Sequence, residues 1–119
     1  MSRNKELLND YKQRKFRIGV FQLRNTVNGK IFLGSGTNVD ALWNRHRSEL
    51  NFGNHRNEAL QADWKAAGEG AFVFEVLSEI EQKDDTGTDY AREVKELEQL
   101  FFSELKPWGE RGYHNPPRA

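Results

Sequence analysis

A histidine and a glutamate lie on helical faces that should point towards the protein core. From Val39 to Leu50, at about 100° per residue, the apolar side chains form one arc, and His46 falls inside it. Near the C-terminus, Glu98 is the one acid on the apolar arc of another helical segment. An inward carboxylate must be paired, protonated or metal-bound, because an unpaired buried charge costs several kcal/mol. The two residues could serve acid-base chemistry and metal binding, although each alone is more often a satisfied core group.

Three helices are predicted to position these side chains. Thr37 or Asn38 can cap the helix that carries His46, and Asp40 in its first turn suits the helix dipole. Gly68 is a plausible stop for the following helix. The predicted helices cover about residues 38–50, 56–67 and 88–105, and a charged segment at 4–15 also has helix-forming composition.

The turn dipeptide Asn28-Gly29 joins two short apolar runs, 19–21 and 32–34, and predicts a β-hairpin with a type I′ turn. If these two residues form the loop, Asn25 opposes Phe32, and Phe21 shares the same face of the hairpin. Residues 71–78 alternate in the way expected of a third strand. One face of that strand would carry Phe72, Phe74 and Val76, and the other Val73, Glu75 and Leu77.

The composition limits the class of protein. A chain of 119 residues is long enough for one domain with a real core and too short for two. It has no cysteine, which excludes disulfides and fits a reducing cytosol. It also has no membrane-length apolar run and no secretory signal, so we expect a cytoplasmic protein without a membrane partner.

The net charge is zero, but it is unevenly distributed. Residues 1–60 hold eleven Lys and Arg against five Asp and Glu, and residues 61–119 hold seven against thirteen. A basic first half suits a polyanionic partner such as nucleic acid. The competing interpretation is that the two halves attract each other in the fold, or that both are simply solvated. A neutral chain lacks the high isoelectric point of a dedicated nucleic-acid binder.

The hairpin, the helix after it and the C-terminal tail together resemble the GIY-YIG nuclease family, over residues 17–115. That resemblance implies one domain over 1–119, with a helical extension at 1–16 and a core at 17–115. The implied fold is α+β, a small three-stranded antiparallel sheet with flanking helices in the order (α)-β-β-α-α-β-α. The residues that carry the resemblance are Gly19-Val20-Phe21, Phe32-Leu33-Gly34, Leu42-Trp43-Asn44-Arg45-His46, Asn57, Leu60, Gln61, Asp63-Trp64, Glu98 and Gly112-Tyr113-His114-Asn115.

The resemblance implies metal-assisted hydrolysis of a DNA phosphodiester, with Mg²⁺ or Mn²⁺ at Glu98 and His46 near the reacting water. Phe21 and Phe32 stand where the family has catalytic tyrosines, and Leu42 stands where it has an arginine. Both phenolic hydroxyls and a phosphate-binding guanidinium are therefore absent. The positions predicted to bind nucleic acid are Lys30, Arg45, Arg47, His114 and Asn115.

These substitutions leave three classes of function open: a metal-dependent DNA endonuclease, a nucleic-acid-binding module without catalysis, and a protein-interaction domain on the same scaffold. For the first, Arg47 is a better replacement for the missing arginine than Arg45, and His46 could act as the base. The three histidines are spaced too widely in the sequence for a recognisable zinc motif. The sequence specifies neither an oligomeric state nor a DNA target.

Overall fold

The computed structural model describes residues 16–83 and 87–117 and shows an α+β fold. The predicted order of strands and helices is confirmed, whereas the proposed N-terminal helix at 4–15 lies outside the described residues. None of the described helices has the length and apolar character needed to cross a bilayer. The elements are β1 (Gly19–Asn25), β2 (Ile31–Gly36), α1 (Val39–Phe52), α2 (Glu58–Ala67), β3 (Phe72–Glu79) and α3 (Tyr90–Leu105), with short 3₁₀ turns at Glu69–Ala71 and Gly109–Arg111.

The three strands form an antiparallel sheet in the order β2-β1-β3, with helices packed on both faces. On one face, α1 and α2 cover Leu23 with a buried cluster that includes Leu50, Leu60 and Trp64. On the other face, α3 packs against a second cluster: Ile18, Val20, Ile31, Leu33 and Val94. Because β1 is central and alternates between the two clusters, both of its faces are buried.

The predicted hairpin register is wrong by two residues. Phe32 pairs with Leu23 rather than with Asn25, and Phe21 pairs with Gly34. The loop is longer than two residues: the N–H of Asn25 donates to the Lys30 carbonyl at 2.9 Å, leaving residues 26–29 in the turn. Only glycine has a positive φ in this turn, so it is not type I′. Phe21 and Phe32 still share one face, because a shift of two residues preserves the alternation.

The helix ends follow the predicted capping residues. The Asn38 side chain accepts a hydrogen bond from the Ala41 N–H at 3.1 Å at the start of α1. Gly68 ends α2 with a φ of 87°, a conformation that favours glycine. At the other end of α2, the Asn57 side chain accepts from the Leu60 N–H at 3.0 Å. This last cap also fixes the loop before α2, which carries part of the site.

Ion pairs connect the basic first half of the chain to its acidic second half. Arg24 contacts Glu75 at 2.8 Å across β1 and β3, and Arg47 contacts Glu69 at 2.8 Å. The interpretation that the halves attract each other therefore accounts for part of the uneven charge. Both pairs are solvent-exposed to a large degree, so each contributes little to stability.

Candidate functional site

The candidate site is built around the ring of Phe32 on β2, which contacts all three histidines of the chain. The centroid of the Phe32 ring lies 5.3 Å from that of His46, 5.5 Å from that of His55 and 4.9 Å from that of His114. His46 comes from α1, His55 from the loop before α2 and His114 from the C-terminal tail. The three histidines, which are widely spaced in the sequence, thus meet at one side chain because the fold brings three distant segments together.

Phe21 and Leu42 occupy the other substituted positions beside this aromatic cluster. Phe21 is only 1% exposed, and its ring centroid lies 5.9 Å from that of His46. Leu42 packs over Gly36 at the end of β2, so closely that a Cβ built on that glycine would lie 2.3 Å from the leucine Cδ1. The two phenylalanines and His46 therefore converge as predicted. Because Phe21, Phe32 and Leu42 replace two tyrosines and an arginine of the family, the surroundings of His46 are more apolar than the family pattern implies.

His46 and His55 form a hydrogen-bonded pair. Nδ1 of His46 lies 2.9 Å from Nε2 of His55, and Nδ1 of His55 accepts a hydrogen bond from the Asn57 backbone N–H at 3.0 Å. Burial, together with the neighbouring His55, lowers the pKa of His46 to about 4. Burial also lowers the pKa of His55. Both imidazoles are therefore neutral near pH 7.

Polar residues that carry the family resemblance hold the loop around His55. The Gln61 side chain accepts from the His55 N–H at 3.0 Å and donates to the Leu50 carbonyl at 3.0 Å. The Asn57 side chain donates to the Tyr113 carbonyl at 2.8 Å, which ties the same loop to the tail. These bonds join α1, α2 and the tail, so the position of the His55 ring is determined by three elements.

The tail runs along the free edge of β2. The Tyr113 N–H donates to the Ile31 carbonyl at 3.0 Å, and the Leu33 N–H donates to Nε2 of His114 at 2.8 Å. Burial raises the pKa of the Tyr113 hydroxyl to about 12, and that hydroxyl donates to Asp63 at 2.7 Å. The tail thus pairs the exposed polar groups of an edge strand and seats His114 against Phe32.

Acidification should destabilise the fold through His114. Burial lowers its pKa to about 4 from an ordinary value of 6.5. Between these values the unfolded chain binds a proton that the folded chain does not, so stability falls as the pH drops through this window. Allowing for the partly exposed ring, we expect a loss on the order of 1–2 kcal/mol. Urea denaturation at about pH 7.5 and pH 5 measures it, and His114→Gln should remove this share of the pH dependence. An unchanged pH dependence in that variant would contradict the assignment.

Beside the histidine pair is an open cavity of about 380 Å³ with two arginines on its wall. Arg45 lies there, whereas Arg47, the better candidate from the sequence, is paired with Glu69 at 2.8 Å. Sequence reasoning missed the loop residues of this wall. The sequence signal that could have identified them is the order His55-Arg56-Asn57, a histidine and an arginine directly before a helix-capping asparagine. The lining residues are Phe32, Arg45, His46, Glu49, His55, Arg56 and Asn57.

The remaining predicted residues lie around this centre rather than in its cavity. The Lys30 ammonium sits 5.7 Å from the centroid of the Tyr113 ring. Asn115 lines a separate cavity with Trp108. Glu98 on α3 points inward with 13% of its side chain exposed, and its carboxylate contacts the Lys95 ammonium at 3.3 Å. Phe102, one turn after Glu98, contacts His114 with ring centroids 4.7 Å apart.

Within residues 16–83 and 87–117, a group of three residues and the single carboxylate of Glu98 can be compared as metal ligands. Ligand atoms of His46, Glu49 and His55 lie within 4.8 Å of one another. A metal-bound imidazole normally donates its second N–H to a neighbour, whereas His55 uses that nitrogen to accept from Asn57. This trio therefore does not fit an ion. Glu98 is a nearly buried carboxylate, a hard oxygen ligand of the kind that Mg²⁺ and Mn²⁺ bind together with substrate phosphate.

Comparison with known proteins gives concordant matches. The family model of the GIY-YIG catalytic domain matches residues 17–113. The chain is 33% identical over 87 residues to intron-associated endonuclease 1 of Enterobacteria phage T4, covering 73% of this chain and 32% of the phage protein. The chain thus spans about a third of that relative's length.

Two solved structures share the fold. The catalytic domain of the homing endonuclease I-TevI matches with a TM-score of 0.65 and 28% identity, over 81% of this chain and 95% of that one. A point mutant of the same catalytic domain matches with a TM-score of 0.67 and 26% identity, over 83% and 93% of the two chains.

Proposed function

Since this chain belongs to the GIY-YIG nuclease family, we propose that it is a DNA-binding domain that takes a backbone phosphate into the cavity beside the His46–His55 pair. The observation that carries the proposal is the lining of this cavity. Two guanidinium groups and the neutral imidazole of His46 meet there, and all three can donate hydrogen bonds to phosphate oxygens. The homology to an intron endonuclease supports DNA as the source of the phosphate.

The electrostatics of the cavity favour an anion. Burial and His55 lower the pKa of His46 most, and Arg45 and Arg56 lower it as well whereas Glu49 raises it, so two positive charges and one negative charge lie close to the imidazole. The one carboxylate of the wall, Glu49, lies 3.6 Å from Arg45, a distance too long for a hydrogen bond. Exchanging such a contact for a phosphate oxygen would give Arg45 a bidentate partner.

Replacing Arg45 and Arg56 together with alanine should weaken DNA binding by about 10- to 100-fold near 0.1 M salt. Each lost phosphate contact also reduces the slope of log affinity against log salt by about 0.9, so the slope should fall by nearly two. Fluorescence anisotropy with a labelled duplex at several salt concentrations measures both quantities. The expected loss follows from the removal of two cationic contacts to the DNA backbone, without any change in fold.

Arg92→Ala is the matched control, because its side chain is 76% exposed on α3 and pairs only weakly with Glu96 at 3.4 Å. It removes a surface arginine without touching the cavity and should leave DNA affinity within about twofold. If the unmodified chain shows no salt-dependent DNA binding, the domain uses its scaffold for another partner, such as a protein. If the double variant binds as well as the control, the phosphate site lies elsewhere.

Metal-dependent DNA hydrolysis is the second candidate, and the inward Glu98 is the observation that favours it. Glu98 would hold Mg²⁺ or Mn²⁺ when the ion is bound, and the ion would neutralise charge on the scissile phosphate. The residues of the cavity would orient that phosphate. Plasmid nicking that requires the ion and disappears in Glu98→Ala, with DNA binding retained, would establish this activity. Binding without nicking would leave the domain as a binding module.

A further inference from the structure

We infer that the Asn57 backbone fixes the tautomers of the histidine pair, so that His46 presents an N–H to the cavity and cannot act as a general base there. The tautomers follow from the hydrogen bonds and from the neutrality of the two rings. Only the role of that N–H towards a DNA phosphate rests on the proposed function. The inference makes Asn57 and His55 positioning residues and His46 the residue that contacts the ligand.

The first step concerns His55. A backbone N–H can only donate, so the 3.0 Å contact from Asn57 requires a lone pair on Nδ1 of His55. Burial keeps this imidazole neutral, and a neutral imidazole carries one proton. The proton of His55 must therefore be on Nε2. That nitrogen lies 2.9 Å from Nδ1 of His46, so it donates to His46.

The second step carries the constraint to His46. Its Nδ1 accepts from His55, so the proton of the neutral His46 ring is on Nε2. This nitrogen makes no hydrogen bond within residues 16–83 and 87–117. In the same ranges, the only buried side-chain polar atom without a hydrogen-bond partner is Oγ of Ser35. Nε2 of His46 also lacks a partner but is not among the buried atoms, so it is accessible to solvent. His46 lines the cavity, and its N–H is the group offered there.

The chemical consequence is that the cavity contains donors and lacks a base. A general base needs an available lone pair, and both lone-pair nitrogens of the pair already accept hydrogen bonds. Phe21 and Phe32 contribute no hydroxyl. A neutral imidazole N–H can still donate to a phosphate oxygen without carrying a charge of its own. The sequence-based hypothesis that His46 replaces the missing tyrosines as base is therefore not favoured by this arrangement.

His114 is an internal control for the test. Its Nε2 accepts from the Leu33 N–H at 2.8 Å, so its proton must be on Nδ1, the opposite nitrogen. A long-range ¹H–¹⁵N correlation spectrum at about pH 7.5 distinguishes a protonated ring nitrogen from one with a lone pair. The chain has 3 histidines, and His46→Gln, His55→Gln and His114→Gln each remove one set of signals and so assign the spectrum. We expect His46 and His55 protonated on Nε2 and His114 on Nδ1. A lone pair on Nε2 of His46 overturns the inference.

A carboxylate at position 55 should reverse the His46 tautomer. In His55→Glu, the new side chain can only accept, so His46 should move its proton to Nδ1 and leave a lone pair on Nε2. If this variant folds and His46 keeps its Nε2 proton, the relay does not control the tautomer, and the inference fails. If it does not fold, the spectrum of the unmodified chain decides the question by itself.

Adding a DNA duplex to the unmodified chain tests the role towards phosphate. A phosphate at the cavity should shift the Nε2 resonance of His46 and leave that of His114 in place. Binding that leaves the His46 resonance unmoved would overturn the contact between His46 and the ligand. Absence of any DNA binding would remove the proposed function while leaving the measured tautomers standing, so the two failures are distinguishable.

Discussion

Introducing Phe21→Tyr, Phe32→Tyr and Leu42→Arg together should raise metal-dependent DNA cleavage by about a hundredfold or more over the unmodified chain. The three changes return hydroxyls that can orient or deprotonate water and a guanidinium that can bind phosphate at two points. Phe32 already lines the cavity, so a hydroxyl added to its ring would lie close to the histidines. The new tyrosine hydroxyls would supply a base, which the His46–His55 pair cannot provide because neither ring has a free lone pair.

Plasmid nicking with Mg²⁺ or Mn²⁺, followed over time, measures the gain. The control adds Glu98→Ala to the triple variant, which should lose the gained activity and keep its DNA affinity. Phe21 is almost fully buried, so thermal unfolding must first show that the triple variant is folded. If it is not, Phe32→Tyr with Leu42→Arg changes only half-buried positions and should give a smaller gain. A folded variant that binds DNA and remains inert would show that another part of the site is missing.

The sequence predicted the sheet and helices because their signals are local. Alternation in β3 placed Phe72 and Phe74 on the face that packs against α2 and α1, and single capping residues such as Asn38 marked helix ends. The hairpin register failed because residues outside the hairpin help to form its turn. The Asn28 side chain donates to Asp63 on α2 at 3.1 Å, a contact that no turn propensity contains.

The candidate site was less predictable than the fold because it depends on the paths of two loops. The apolar arcs of two helices predicted that His46 and Glu98 point inward. The low exposure of the Glu98 side chain, 13%, confirms this for the carboxylate. Nothing in the spacing of His55 or His114 indicated that both would meet Phe32. Their positions depend on Gln61 and on the pairing of the tail with β2. Convergence of this kind becomes visible only when tertiary contacts are known.

Gly34→Ala should destabilise the fold by about 1–3 kcal/mol, although it adds one methyl group. A Cβ at this position would lie 2.4 Å from Cζ of Phe21 and 2.9 Å from its Cε1. The phenylalanine ring cannot move away, because it is 1% exposed and its centroid lies 5.4 Å from that of Phe74. The ring of Phe21 on β1 therefore requires a glycine at position 34 on β2. Urea denaturation at neutral pH measures the loss.

A double-mutant cycle identifies the clash as the cause. Phe21→Leu shortens the side chain and costs stability by itself, but it also removes the atoms that the new methyl group would meet. Adding Gly34→Ala to that background should then cost little, giving a coupling energy above about 1 kcal/mol. Gly70→Ala is the matched control, because no atom lies within 4 Å of its Cβ position, and it should change stability by less than about 0.5 kcal/mol. If the two costs at positions 21 and 34 simply add, the ring and the glycine are not in conflict, and the packing inferred for this pair is wrong.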